Sequence, residues 1–301
     1  MSSTVQVDVG GHSLALSNLD KVLYPTAGTT KAEVIDYYAR VAPVLLPHLA
    51  DRAVTLRRFP DGVEGGSFYE KNCPGHRPDW VGTHPVTSDE DATIDFCRLD
   101  SVAALTWVAN LAALELHTSM ARAVDSRAPT MVVFDLDPGA PAALLDCAEV
   151  GLWIQRVLEG FGLTSLIKTS GSKGMQLYLP LNSPTTYEAT SGFARTVAQL
   201  LEREAPDQVV SVQRKDRRGG KVLVDWSQNS WHKTTACVYS LRARERPTVS
   251  TPVTWDEVDD AVAAGDPRML TFETADVLER VEHHGDLFAD VATLEQELPE
   301  S

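Results

Sequence analysis

A mixed α/β (α+β) fold is what this sequence predicts, on three observations. Stretches with a helical repeat of apolar residues alternate with short β runs. Some of those runs come in pairs across a tight turn and others stand alone, so the order is not a plain succession of βαβ units. The chain has 301 residues and is 43% hydrophobic, enough for one large core or two fused ones. No G-x-G-x-x-G follows a β run, which argues against a dinucleotide fold.

The first helix opens at Thr30. Glu33 stands three residues on, as in a capping box, and Val34, Tyr37, Tyr38, Val41, Val44 and Leu45 then recur at helical spacing. "AVTLRRF" reads as a strand and "PDGVEGG" as a turn. "DSVAALTWVANLAALELH" reads as a second, apolar helix ending at His117. "TMVVFDLDPG" is a buried β run stopped by Pro138-Gly139, and "PAALLDCAEVGLWIQRVLEGFG" is a helix with Gly162 at its C-terminal end. "TSLIKTS" and "MQLYLPL" are strands joined by the turn Ser170-Gly171-Ser172-Lys173-Gly174. "TYEATSGFARTVAQLLEREAP" is helical, "QVVSVQRKDRRGGKVLVDWS" reads as a hairpin with a basic tip, and "TADVLERVEHHGDLFADV" closes with helix. No repeat, low-complexity tract or linker interrupts this order. A single catalytic domain over residues 1–301 is expected, with an N-terminal lobe at roughly 1–120, a catalytic lobe at roughly 121–250 and an acidic helical segment at roughly 251–301.

The net charge of −15 taken alone speaks against a nucleic-acid partner, but the charge is polarised. From Trp255 to Ser301 fourteen acids stand against Arg268 and Arg280, whereas from Val210 to Ser250 nine basic residues face Asp216, Asp225 and Glu245. The tail reads as a solvated helical face. Cys73, Cys97, Cys147 and Cys237 form no C-x-x-C pair, so four reduced thiols are expected. No long apolar run suggests a membrane span, and the N-terminus lacks the pattern of a secretory signal, so the expectation is a cytoplasmic protein without a membrane partner.

Three motifs carry chemistry. Asp135 and Asp137 end "MVVFDLD", and residues two apart on a strand share a face. Paired carboxylates repel, and hard cations such as Mg²⁺ or Mn²⁺ relieve that repulsion. A turn role before Pro138-Gly139 would account for one acid but not for both. Asp225 ends a second apolar β run, "KVLVDWS". Three strand-borne aspartates can hold two cations, the arrangement used for in-line phosphoryl displacement. The Ser170–Gly174 turn offers backbone N–H groups, hydroxyls and an ammonium, which suits a triphosphate. Each motif alone also fits a plain structural role.

In this order, FDLDP, then SGSKG before a strand, then VDWSQN, the motifs resemble those of the archaeo-eukaryotic primase superfamily. The match is nearest to the polymerase domain of bacterial ligase D, of non-homologous end joining, and its stand-alone relatives. It runs from "LSNLDKVLYP" to "YSLRARERPTV" and beyond. The resemblance implies the primase-type polymerase fold, two fused lobes around a central catalytic cleft. The implied activity is a DNA-dependent polymerase that extends primer strands at gaps and broken ends, with ribonucleotides preferred and two divalent cations, Mn²⁺ or Mg²⁺. Asp135, Asp137 and Asp225 match the catalytic metal ligands. Ser170, Ser172 and Lys173 match the triphosphate grip, and Arg57, His117, Gln228 and Arg242 match further nucleotide contacts. Gln176 stands where the family carries histidine. Glutamine offers only a neutral hydrogen bond there, so Gln176→His is expected to change the nucleotide KM.

On the DNA side, Asn18, Lys21 and Lys31 match the site for a 5′-phosphate, and Arg218 and Arg244 match DNA contacts. A lysine at a helix start opposes the helix dipole but suits an arriving phosphate. Phe68 and Tyr69 match an aromatic pair that stacks on template bases, and one of the two is expected in the core because strand neighbours face opposite sides. The acidic "SDEDATID" departs from the family's wording in a region used for pairing DNA ends. The implied partners are gapped DNA, nucleoside triphosphates, a separate ATP-dependent DNA ligase and Ku, in the bacterial cytoplasm with the nucleoid. The competing class is a mainly non-catalytic module that binds or bridges DNA ends. A D-x-D phosphatase or glycosyltransferase would leave the Gly/Lys turn and the basic segment unexplained.

Overall fold

The structure, a computed structural model, describes residues 4–87 and 92–299. It divides into two compact units, each discontinuous in sequence: residues 1–119, 236–249 and 273–286 form one, and residues 120–235, 250–272 and 287–301 the other.

The second unit is built on a six-stranded sheet. Its strands run in the order Val209–Val210, Val222–Asp225, Met131–Pro138, Met175–Pro180, Leu166–Thr169, Pro252–Val253. The pairings are antiparallel except for the first, which is parallel. Strand periodicity gives the sheet two different faces. Val132, Phe134, Leu136, Ile167, Met175, Leu177, Leu179, Val222 and Val224 point into one apolar core with the helices Leu144–Gly160 and Tyr187–Glu204. The alternate residues, which include Asp135, Asp137, Lys168, Gln176 and Asp225, occupy the opposite face.

The expected hairpin over residues 208–227 is not formed, because Val209–Val210 runs parallel to Val222–Leu223. The basic segment between them contains a short 3-10 turn, Lys215–Arg217, and crosses back over the strand ends. Its far end is fastened to the Asp-Pro-Gly turn, with Gly139 N donating to Lys221 O at 2.8 Å and Gly220 N to Gly139 O at 2.9 Å. A connection of about a dozen residues is long enough for a parallel crossover, whereas a hairpin needs only a short loop.

In the first unit, Val54–Arg58 lies between Ala113–Ser119 and Phe68–Glu70, antiparallel to both. The helix Lys31–Leu49 carries the expected capping box at Thr30 and Glu33 and packs against the helices Val102–Asn110 and Thr274–His284. The second helix therefore stops seven residues before His117, which lies on the strand Ala113–Ser119. Ala112 breaks the helix with φ at +57°. A continuous apolar run suits a buried helix or a buried strand equally, and the pairing with Val54–Arg58 selects the strand.

The four thiols are not all reduced: Cys73 and Cys97 form a disulfide, while Cys147 and Cys237 are buried and free. Cys97 ends the strand Thr93–Cys97 and Cys73 N donates to Asp95 O at 2.6 Å, so a backbone bond holds the two segments together. Residues 88–91 of the acidic "SDEDATID" lie outside the described residues. Among the described residues no helix is long and apolar enough to cross a membrane.

Candidate functional site

Register places four polar residues of the second unit in one row across adjacent strands: Lys168 opposite Gln176, Gln176 opposite Asp135, and Asp135 opposite Asp225. Asp137 follows Asp135 on the same face. Gln176 Nε2 donates to Asp135 Oδ1 at 3.0 Å and Gln228 Nε2 donates to Asp135 Oδ2 at 3.3 Å. Gln228 reaches that position because Asn229, in the same "WSQN" turn, is pinned to the central strand: Val133 N donates to Asn229 Oδ1 at 2.8 Å, and Asn229 Nδ2 donates to Val133 O at 2.7 Å. Asp225 accepts from Gln213 Nε2 at 2.8 Å and from the N–H and hydroxyl of Ser227 at 3.0 and 2.6 Å. Asp137 forms an ion pair with Arg218.

Burial raises the Asp135 carboxyl above its ordinary range, and the charges of Asp225 and Asp137 push it further up, against the pull of Gln176 and Lys168. A hard divalent cation fits this donor set, because it would relieve like charges that neutral amides satisfy only in part. Among the described residues no group of three or more His, Cys, Asp or Glu side chains is placed to hold a metal ion. Each of the three aspartates is instead engaged by its own donors.

The Ser170–Gly174 turn joins the two expected strands. A side chain on Gly174 would put a Cβ 1.9 Å from Leu136 O, and one on Gly139 would put a Cβ 1.9 Å from Arg218 O. Only glycine lets these loops approach the acid-bearing strand so closely. The turn is partly self-contained, since Ser170 Oγ accepts from Ser172 N and Gly174 N, both at 3.2 Å. Two of the N–H groups expected to cradle phosphate are thus already engaged, and Lys173 is the exposed charge of the turn.

In the first unit Arg57, His117 and Arg242 gather around a residue that sequence reasoning missed, Glu115. Arg57 lies opposite Glu115, and His117 sits two residues further along the same strand face. Glu115 is 2% exposed and accepts from His117 Nε2 at 2.9 Å and from Ala243 N at 3.0 Å; it also forms ion pairs with Arg57 and Arg242, each at 3.4 Å. Burial pushes its carboxyl up, but these donors together hold it well below the carboxylate range. The signal in the sequence was strand alternation: in "ALELHTS", Glu115 and His117 are two apart and face the same way. Burial holds the His117 imidazole below its usual pKa, against the pull of Glu115.

The expectation that one of Phe68 and Tyr69 packs in the core is overturned, because they are 44% and 60% exposed. They lie on an edge strand of three residues, and arginines cover them instead: Arg58 lies 5.2 Å from the Phe68 ring centroid and Arg57 lies 5.3 Å from that of Tyr69. Lys21 and Lys31 are close neighbours, with Lys31 N donating to Lys21 O at 2.8 Å and Lys21 N to Asn18 O at 3.0 Å. Lys31 is buried, and its ammonium donates to Ser17 O at 2.6 Å. Burial and then the Lys21 charge lower its pKa to about 8. Lys21 pairs with Asp61, and Arg244 is exposed.

This fold and this acid-bearing sheet define a primase-polymerase domain. The family model for the LigD primase-polymerase domain matches residues 30–288, and the chain belongs to that family. It is 41% identical over 276 residues to the multifunctional non-homologous end joining protein LigD of Mycolicibacterium smegmatis, covering 91% of this chain and 35% of that protein. It is 34% identical over 287 residues to the bifunctional non-homologous end joining protein LigD of Bacillus subtilis, covering 95% and 45%. The chain thus spans less than half the length of these curated relatives. The solved polymerase domain from Mycobacterium tuberculosis ligase D in complex with DNA matches with a TM-score of 0.86 at 39% identity, over 94% of this chain and 99% of that one. The mixed α/β fold and the family resemblance read from the motifs are both borne out.

Proposed function

We propose that the chain is a DNA-dependent, primase-type polymerase that adds nucleotides to primer strands at gaps and broken ends, with ribonucleotides preferred, in end-joining repair. The observation that supports this most is the side-by-side placement of Asp135 and Asp225, with Asp137 two residues on, beside a glycine-tightened turn that presents Lys173. The likeness to the Mycobacterium tuberculosis ligase D polymerase domain solved in complex with DNA supports a DNA substrate. A module that only binds or bridges ends has no use for a buried carboxylate set against two others.

Asp135, Asp137 and Asp225 would hold two cations, Mn²⁺ or Mg²⁺. Once bound, such cations activate the primer 3′-hydroxyl and neutralise charge on the departing pyrophosphate. Gln176 and Gln228 orient Asp135, and Gln213 and Ser227 orient Asp225. Ser170 shapes the turn, while Ser172 and Lys173 meet the triphosphate. Arg57, His117 and Arg242, ordered by Glu115, contact the nucleotide. Asn18, Lys21 and Lys31 receive a 5′-phosphate, Phe68 and Tyr69 stack on template bases, and Arg218 and Arg244 meet the DNA. An ATP-dependent DNA ligase and Ku would complete the pathway.

Extension of a primer across a 5′-phosphorylated gap, with Mn²⁺ and with ribo- and deoxyribonucleotides side by side, tests this reading. Product from both, more from ribonucleotides, is expected. No product while the DNA is still bound would refute it.

A further inference from the structure

Lys168 is 0% exposed, although it is charged and sits at the end of the row that holds Asp135 and Asp225. Its ammonium donates to Gln176 Oε1 at 2.6 Å and to Ser250 Oγ at 2.6 Å, and lies 5.5 Å from the Tyr178 ring centroid. The Ser250 hydroxyl gives its own proton to Thr169 O at 3.0 Å, so its lone pairs are left for the lysine. Because the Gln176 carbonyl is taken by the ammonium, its amide nitrogen must face Asp135. The row therefore reads, from strand to strand, cation, oriented amide, carboxylate, carboxylate.

We propose that Lys168 is a positioning residue of the acid site, a fixed positive charge that acts through Gln176 on Asp135 and lowers the affinity of the site for a bare divalent cation. The inference rests on the reading of the aspartates as cation ligands. Its consequence is an order of events. A cation that brings its own anion, as a metal–triphosphate does, meets less repulsion from Lys168 than a cation alone. The site is then poised for the metal–nucleotide complex, not for free metal.

The test is Mn²⁺ binding to the protein without nucleotide or DNA, followed by electron paramagnetic resonance, in wild type, Lys168→Met and Lys168→Gln. Lys168→Gln keeps an N–H donor toward Gln176 and Ser250 while removing the charge, so it covers the case in which Lys168→Met does not fold. Binding attributable to the site is the part lost in Asp135→Asn. Loss of a unit charge this near a divalent site is expected to tighten that part by about fivefold or more in both variants. Ser250→Ala, which removes a hydrogen bond but no charge, should stay within about twofold of wild type. Unchanged or weaker Mn²⁺ binding in folded Lys168→Gln would overturn the proposal, as would tightening of the same size in Ser250→Ala. If Asp135→Asn binds Mn²⁺ as wild type does, the reading of the aspartates as ligands fails instead.

Discussion

Replacing Glu115 by alanine should be among the most damaging changes in the first unit. The carboxylate is 2% exposed and is the shared acceptor for His117, Arg57, Arg242 and the Ala243 N–H. Arg57 and Arg242 are themselves largely shielded, with side chains 31% and 14% exposed. Removing one member of a buried ion pair leaves the other uncompensated, at a cost of about 3–5 kcal/mol. In a protein of this size that corresponds to a fall in Tm of about 5–15 °C. Thermal melts followed by circular dichroism, without nucleotide, measure it directly. Glu115→Gln keeps an acceptor but turns an NH₂ toward a cation, so its loss should lie between wild type and alanine. The sign of the pH dependence is fixed by the depressed carboxyl: the contribution is present above the unfolded pKa of about 4.3 and fades only as pH falls through the lower folded value. The gap between wild type and Glu115→Gln should therefore stay constant from about pH 7 to pH 8. A Tm change under about 2 °C in Glu115→Ala would refute the assignment of Glu115 as the anchor of this cluster.

Asp137→Ala should reduce primer extension by about a hundredfold or more while DNA binding survives; loss of binding instead would contradict its role as a metal ligand. The Lys31 pKa near 8 predicts that the preference for a 5′-phosphorylated gap is constant below that value and declines above it, by at most about tenfold per pH unit, as the ammonium loses its proton. Fluorescence anisotropy on phosphorylated and unphosphorylated gaps at about pH 7 and about pH 9 checks this, and Lys31→Ala should abolish the preference; equal decline on both substrates would count against the site. Cys97→Ser opens a cross-link between residues 24 apart and should lower stability by about 2–4 kcal/mol; equal melts with and without a thiol reductant in wild type would show that the bond contributes nothing.

What could be read from the sequence depended on whether local pattern and tertiary partner agreed. The capping box at Thr30 and Glu33 is a local device, and it formed as expected. The alternation in "MVVFDLD" placed Asp135 and Asp137 on one face because a strand repeats every two residues wherever it sits. In "LAALELH" the alternation of Glu115 and His117 was masked, since a wholly buried run looks the same as helix or strand until its neighbour is known. Glu115 was lost with it, because a helix ending at His117 puts the two side chains on different faces. The parallel pairing of Val209–Val210 and the bridge between Cys73 and Cys97 join segments whose proximity only the folded chain defines.

Position 176 shows how far the row changes the chemistry that the sequence suggested. From the sequence, histidine in place of Gln176 brings charge toward the triphosphate and alters the nucleotide KM. In the structure the side chain is 6% exposed and committed on both sides, accepting from the Lys168 ammonium and donating to Asp135. A neutral imidazole has the same polarity, one acceptor and one donor, and can replace the amide without disturbing the row. A protonated imidazole cannot, because it would turn an N–H against the ammonium. Burial and the Lys168 ammonium therefore oppose protonation of such an imidazole, against the pull of Asp135. Gln176→His should then leave the nucleotide KM within about twofold of wild type at pH 7.5 and show no new titration in kcat/KM between about pH 7 and pH 8. Gln176→Leu, which severs both bonds, should lower kcat by about tenfold or more by loosening Asp135. A large KM change in Gln176→His with little change in Gln176→Leu would reverse this reading and return position 176 to the phosphates.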